Sequence, residues 1–306
     1  MIRVVFLGMG GPITTMVLNT LLSHKNVELM CLIKPLQKGN SDSKAKQIFQ
    51  KLPPLIQRAI RSCRIKFLNI EKWQLPDLIS RFNIDVITTG DINSGKTIEL
   101  IQSKKPDLIV VANFNQILKK GILSIPKIGC INVHPSLLPD YRGANPIFWM
   151  FKNNEQTGGT TIHLIDEGID TGGIIKQSEF RLSESESVQS YSIKCGHAAA
   201  KDLNSVLDSL SENTSLSSVN IVKKGKYYPR PTEKDGELLL IDKPEIVLRN
   251  YRVMKNYTPV YLSIDNKQFT ITSAWIDKTN ESGNEPNEFV YSSNEKALKF
   301  KGTYNA

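Results

Sequence analysis

The chain has 306 residues, enough for a large core and two domains, and its 40% hydrophobic and 23% charged content is that of an ordinary globular protein. No apolar run approaches the ~20 residues of a membrane-spanning helix. Of the formal net charge of +9, residues 1–200 carry 24 Lys and Arg against 16 Asp and Glu, while the rest carry 15 against 14. The excess lies mostly between Lys38 and Lys72 and points to an anionic partner, nucleic acid or a phosphorylated small molecule, without choosing between them.

The opening MIRVVFLGMGG is broken by Gly and Pro and lacks a cleavage pattern, so it reads as a first strand and not a signal peptide. The GMGG at residues 8–11 would need a third Gly at position 13 for a dinucleotide fingerprint. Ile13 stands there, so a tight strand-to-helix turn is expected and not an NAD site. A helical ITTMVLNTLL and the strand VELMCLI follow. Asp42 to Arg64 then places apolar residues at helical spacing beside Lys44, Lys51, Arg58 and Arg61, with Pro53-Pro54 splitting the run. That segment reads as a solvated basic face, with a phosphate-binding patch as the alternative.

Further strand-like runs are IKFLNI, DVITTG, DLIVVANF and GCINVH, separated by helical WQLPDLISRF and KTIELIQS. Near-continuous Val, Ile and Leu strands alternating with helices predict an α/β fold, a doubly wound, mostly parallel Rossmann-like sheet. Ligands of such sheets bind beyond the carboxyl ends of strands. Residues 187–211 read as helical, and PVYLSI, KQFTITSAWI and ALKFKGTY as a small C-terminal β-rich domain. The expected division is an α/β domain over 1–183, a helical connection and linker over 184–220, and the β-rich domain over 221–306. Cys31, Cys63, Cys130 and Cys195 have no paired spacing, and Cys195 with His197 alone builds no zinc site. Reduced thiols, no metal and a cytoplasmic location are the expectation.

The stretch CINVHPSLLPDYRG at 130–143 carries the chemistry. Strand side chains alternate faces, so Asn132 and His134 emerge together where an otherwise apolar strand ends. A second cluster, DEGIDTGGII at 166–175, puts Asp166 and Asp170 on either side of Gly168, after the strand TGGTTIHLI. His163 lies within that strand without a polar companion nearby in sequence and reads as a structural histidine.

Asn132-Val133-His134, the following SLLPDYRG and Asp170 within DEGIDTG closely resemble the folate-dependent formyltransferases, which include methionyl-tRNA, glycinamide ribonucleotide and nucleotide-sugar N-formyltransferases. The detailed match runs from about Asp107 to Ile175. The resemblance implies that the 1–183 part is the catalytic domain of an N-formyltransferase using 10-formyltetrahydrofolate, with Asn132, His134 and Asp170 acting together. It further implies a folate site at Phe114, Asn115, Ile117 and Leu118 and at the turn with Asp166 and Gly168. Ser136, Leu137, Leu138, Pro139 and Gly143 would shape the loop beside it. The residue types suit the reaction: fixed donors stabilise charge developing on the formyl oxygen, and a carboxylate accepts the proton released by the attacking amine.

For the acceptor, IKPLQKGNSDSK lacks the Arg- and Gly-rich segment of a typical methionyl-tRNA enzyme, and the β-rich tail is short and near neutral. A nucleotide-linked amino sugar is therefore the expected acceptor, with methionyl-tRNA as the alternative. A formyltetrahydrofolate hydrolase and a non-enzymatic nucleotide-binding protein remain as further readings.

Overall fold

The structure is a computed structural model that describes residues 1–36, 75–212, 216, 218, 225–265, 267–277, 288–293 and 296–304. The expected strand IKFLNI, the basic run from Asp42 to Arg64 and Cys63 lie outside these residues. The chain divides into two compact units, residues 1–131 with 203–215, and residues 132–202 with 216–306.

The first unit begins with β1 (Ile2–Gly8), whose apolar side chains are buried on both faces. Strand β2 (Val27–Pro35) pairs parallel with one edge of β1 and β4 (Leu108–Ala112) with the other, while β3 (Val86–Thr89) pairs parallel with β2. Parallel neighbours need long crossovers, supplied here by α1 (Gly11–Ser23), α2 (Leu75–Phe82) and α3 (Gly95–Ser103). The GMGG stretch is a strand-to-helix turn, with Gly10 and Gly11 at φ of 127° and 87° and Pro12 opening α1. Helix α3 starts at Ser94, whose side chain accepts the Thr97 amide at 3.4 Å. After α4 (Lys120–Leu123) comes β5 (Gly129–His134), and the division between units falls within this strand.

The second unit holds the end of β5, then β6 (Arg142–Gly143), α5 (Pro146–Lys152), β7 (Thr157–Leu164) and β8 (Ile174–Arg181). Strand order in the seven-stranded sheet is β3-β2-β1-β4-β5-β7-β8, and β7 and β8 run antiparallel. The sheet is thus mostly parallel, as expected, with an antiparallel edge strand whose later residues alternate half-buried and exposed. Helix α6 (Val188–Glu212) covers nearly the span read as helical from its periodicity.

The C-terminal part is a four-stranded antiparallel sheet in the order β10 (Tyr261–Ile264), β11 (Lys267–Asp277), β13 (Lys296–Tyr304), β12 (Glu288–Ser293). It is preceded by β9 (Tyr227–Tyr228), which pairs parallel with β6, and by α7 (Pro244–Met254). Its core joins Val247, Leu248, Tyr251 and Met254 of α7 to Phe269, Leu298 and Phe300 and to Phe148 and Trp149 of α5. Helix α7 also buries Arg249, whose Nη2 donates to the Glu155 carbonyl at 3.1 Å and whose guanidinium lies 5.1 Å from the Phe151 ring centre. The residues that follow β5 therefore share one core with the C-terminal strands.

Candidate functional site

Strand β5 ends with Asn132 and His134 on one side, as alternation requires. The His134 Nε2 lies 3.0 Å from the Tyr141 carbonyl oxygen. A carbonyl only accepts, so Nε2 carries the proton and a neutral ring leaves Nδ1 bare. That Nδ1 faces Asp170 Oδ2 at 3.7 Å. Two acceptors held this close without a proton between them form a natural place to receive one.

Asp170 reaches the same spot from the turn after β7. Its backbone is left-handed, at φ 51°, and Oδ2 accepts the Gly143 amide at 2.9 Å. Gly143 is itself at φ 104°, and a Cβ there would fall 2.2 Å from the Tyr228 carbonyl oxygen, so only glycine fits. Asp166 ties the turn by accepting from the Gly168 amide at 3.0 Å and the Thr171 hydroxyl at 2.6 Å. Glu167, Gly168 and Ile169 are left exposed at the tip of this turn.

His163 belongs to this cluster, contrary to the expectation of a histidine without a polar companion. Its Nδ1 donates to the Leu164 carbonyl at 2.7 Å, so its Nε2 is an acceptor, and the Asn132 amide donates to it at 3.2 Å. His163 Nε2 also lies 3.6 Å from Asp170 Oδ1, so the carboxylate sits with an imidazole beside each oxygen. One N–H of the Asn132 amide goes to His163, and among the described residues no hydrogen bond takes the other. Strand-to-strand proximity brings His163 here, and the run TGGTTIHLI beside INVH was the signal that could have found it.

The loop from Ser136 to Gly143 is braced at every turn. Ser136 Oγ donates to the Asp140 carbonyl at 3.0 Å, and the Leu138 amide donates to Thr161 Oγ1 at 3.0 Å. Gln177 Nε2 donates to the Leu138 carbonyl at 2.6 Å, the Leu138–Pro139 bond is cis, and Leu137 lies against Gly159. The structure thus brings Asn132, His134, Asp170 and Gly143 together and puts Ser136, Leu137, Leu138 and Pro139 in the supporting loop.

Phe114, Asn115, Ile117 and Leu118 follow β4 in the first unit. Gln116 accepts the Ile92 amide at 2.7 Å, and Asn93 donates to the Ile117 carbonyl at 2.9 Å and accepts the Lys119 amide at 2.8 Å. Leu118 is buried, Phe114 half-buried and Asn115 exposed, whereas Ile117 is 61% exposed, a large apolar side chain set out on a pinned loop. Cys31, Cys130 and Cys195 are buried free thiols. Among the described residues, no His, Cys, Asp and Glu group could hold a metal ion, and no helix is long and apolar enough to cross a membrane.

Burial pushes the His134 imidazole below its ordinary value, with Asp170 opposing and His163 reinforcing the drop. Burial would raise Asp170, but the two imidazoles and the Gly143 amide outweigh it and hold the carboxyl well below the usual range. At neutral pH the cluster is a carboxylate beside a neutral imidazole, whereas Asp170 alone would favour the imidazolium.

Burial therefore outweighs the pull of Asp170 toward the charged ring. A consequence for stability follows by linkage. An unfolded His takes its proton near about 6.5, above the folded value, so this contribution is complete above that pH and declines as pH falls below it. The depressed Asp170 adds stability above about pH 4 that is lost on further acidification. Urea unfolding from pH 7 to pH 5 is expected to show falling stability in the native chain and a shallower fall in His134→Gln. Equal slopes would mean that His134 is not buried neutral.

An α/β protein with a half-buried carboxylate between two imidazoles, at the carboxyl end of a parallel strand, is the class that fold and site define. The family profile described as Formyl transferase matches residues 90–207. The chain is 30% identical over 222 residues to a methionyl-tRNA formyltransferase of Caldicellulosiruptor saccharolyticus, covering 72% of this chain and 71% of that one. It is 41% identical over 156 residues to the methionyl-tRNA formyltransferase of Clostridioides difficile, or 51% of this chain and 50% of that one. The match thus spans about half the length of that relative. In structure the chain is similar to an N-formyltransferase of Helicobacter canadensis solved with folinic acid and dTDP-3-aminofucose, with a TM-score of 0.58 and 19% identity over 99% of this chain and 100% of the other. It is also similar to a sugar N-formyltransferase of a Shewanella species, with a TM-score of 0.58 and 20% identity over 87% of this chain and 94% of that one. The chain belongs to the folate-dependent formyltransferase family.

Proposed function

We propose that the protein transfers a formyl group from 10-formyltetrahydrofolate to a primary amine. The observation that carries this reading is the meeting of Asn132, His134 and Asp170, with the carboxylate ionised and the imidazole neutral. The amine attacks the formyl carbon, and negative charge develops on the formyl oxygen. The second Asn132 N–H would donate to that oxygen and stabilise the charge. The attacking nitrogen becomes cationic and must lose a proton, and the gap between Asp170 Oδ2 and His134 Nδ1 is where that proton is received. When the carbon–nitrogen bond to the folate breaks, the same proton goes to the departing nitrogen, so the cluster ends as it began.

The chain's residues suit a formyl-folate. The Asp166–Asp170 turn offers exposed backbone groups for a flat, hydrogen-bonding heterocycle, and the pinned Phe114–Leu118 loop presents an apolar side chain. Phe114, Asn115, Ile117, Leu118, Asp166 and Gly168 are the residues proposed to hold it, through backbone more than side chain. Ser136, Leu137, Leu138, Pro139 and Gly143 keep the catalytic loop in shape.

For the acceptor we favour the amine of a nucleotide-linked amino sugar. The C-terminal third, with 15 basic and 14 acidic residues, has little net charge to neutralise the phosphates of a tRNA. Methionyl-tRNA is the second reading, supported by the 30–41% identity to methionyl-tRNA formyltransferases. The test is a side-by-side transfer assay with 10-formyltetrahydrofolate, offering nucleotide-linked amino sugars and, separately, initiator methionyl-tRNA. Faster formylation of a sugar supports the first reading and faster formylation of the tRNA the second. Release of formate without any acceptor would make the protein a hydrolase, and no turnover of the folate at all would sink the formyl-transfer reading.

A further inference from the structure

The two contacts that orient the candidate catalytic pair both come from one short piece of backbone. The Tyr141 carbonyl holds His134 and the Gly143 amide holds Asp170. Tyr141 is itself left-handed, at φ 59°, a conformation an aromatic residue adopts only when its surroundings impose it. The surroundings here are the strap from Gly225 to Pro229, some 80 residues further along the chain.

The strap runs beside the loop at each step. Arg142 and Gly143 pair in register with Tyr227 and Tyr228. The Ala144 amide donates to the Tyr228 carbonyl at 3.1 Å, and Arg142 Nε donates to the Gly225 carbonyl at 3.1 Å. The Tyr228 ring stacks on that of Tyr141, with centroids 5.1 Å apart and planes 17° from parallel. Asn153 Nδ2 donates to both phenol oxygens, at 3.2 Å to Tyr141 and 3.1 Å to Tyr228. The Tyr141 hydroxyl donates to Glu155 at 2.5 Å, and Trp149 Nε1 donates to the Pro229 carbonyl at 2.9 Å. This bracing is richer than a two-residue strand needs, and it converges on Tyr141.

We propose that Tyr228 is a positioning residue: by stacking on Tyr141 and pairing with Gly143 it fixes the carbonyl and the amide that orient His134 and Asp170. The inference rests on the formyl-transfer reading for its kinetic consequence, although not for its structural one. It makes the chemistry of the loop depend on the segment leading into the C-terminal sheet. Geometric errors of about 1 Å at a reacting group cost up to about 100-fold in rate, so a loosened strap acts on turnover and not on substrate binding.

The test compares the full-length chain with Tyr228→Leu and Tyr228→Phe, by steady-state formyl transfer and by nitrogen NMR of the histidine rings. Tyr228→Leu is expected to lower kcat by about 10- to 100-fold with the KM for the formyl donor unchanged, and to alter the His134 Nε2–H resonance. Tyr228→Phe keeps the stacked ring and is expected to recover most of the lost kcat. An unchanged kcat in Tyr228→Leu, or a lower kcat with an unaltered His134 resonance, overturns the proposal. If Tyr228→Leu does not fold, Gly225→Ala replaces it, because a Cβ there would sit 1.6 Å from the Pro139 carbonyl oxygen and must part strap from loop. An unaltered His134 resonance in folded Gly225→Ala then overturns it. The ring resonance needs no acceptor, so a native chain that transfers no formyl group defeats the functional reading and leaves the strap under test.

Discussion

Replacing Asp170 with Asn is expected to lower kcat/KM for formyl transfer by about 10²–10⁴-fold while the chain stays folded. The amide is isosteric, and its oxygen can still accept from the Gly143 amide, the bond that seats the side chain. What it loses is the charge and the ability to take a proton. An amide N–H turned toward His134 Nδ1 or His163 Nε2 would also put a donor where the native chain has an acceptor. At about 1.4 kcal/mol per tenfold in rate, the expected loss is about 3–5 kcal/mol of barrier. The variant is measured by formyl transfer at saturating donor, with thermal unfolding alongside. Activity within a few-fold of the native chain, in a folded variant, would remove Asp170 from the chemistry.

The α/β texture was legible because buried parallel strands read as continuous apolar runs, and DLIVVANF and GCINVH could be nothing else at that length. Asn132 and His134 were legible for the same local reason, since two polar side chains two residues apart on such a strand need an explanation. Asp170 stood out as one of two acids flanking Gly168, but its place beside His134 came only through resemblance, for its left-handed turn carries it back toward β5 in a way no spacing rule describes. The polar partners of His163 were not legible because Asn132 and Asp170 reach it across strands and from a turn and not along its own strand.

Helix α7 was missed in a segment whose surroundings read as β. Ile246, Val247 and Val253 are β-branched, and the Pro at its first turn was the signal passed over. Pairing of Arg142 and Gly143 with Tyr227 and Tyr228 had no sequence signal at all, because two-residue strands carry no period. The charge of residues 38–72, prominent in composition, falls outside the described residues. What sequence shows well is a face, and what it shows poorly is which faces meet.

Asn132→Ala is expected to lower kcat by about 10²–10³-fold, the usual consequence of removing one donor to a developing oxyanion, and to do so through two routes that can be separated. The first is direct loss of the free amide N–H. The second runs through His163, whose Nε2 is left without the 3.2 Å donor that now occupies it. A buried acceptor left without its donor is costly, so the His163 ring would shift and disturb Asp170 and His134, which lie beside it. His163→Gln isolates the second route, since it keeps Asn132 and removes the imidazole. If the direct donor dominates, His163→Gln retains most of the activity that Asn132→Ala loses. If orientation by His163 dominates, the two variants lose activity together and the double variant loses little more, because groups that act as a unit are not additive. A near-native kcat in Asn132→Ala would leave the formyl oxygen without its proposed donor. The cluster would then have to work through Asp170 and His134 alone.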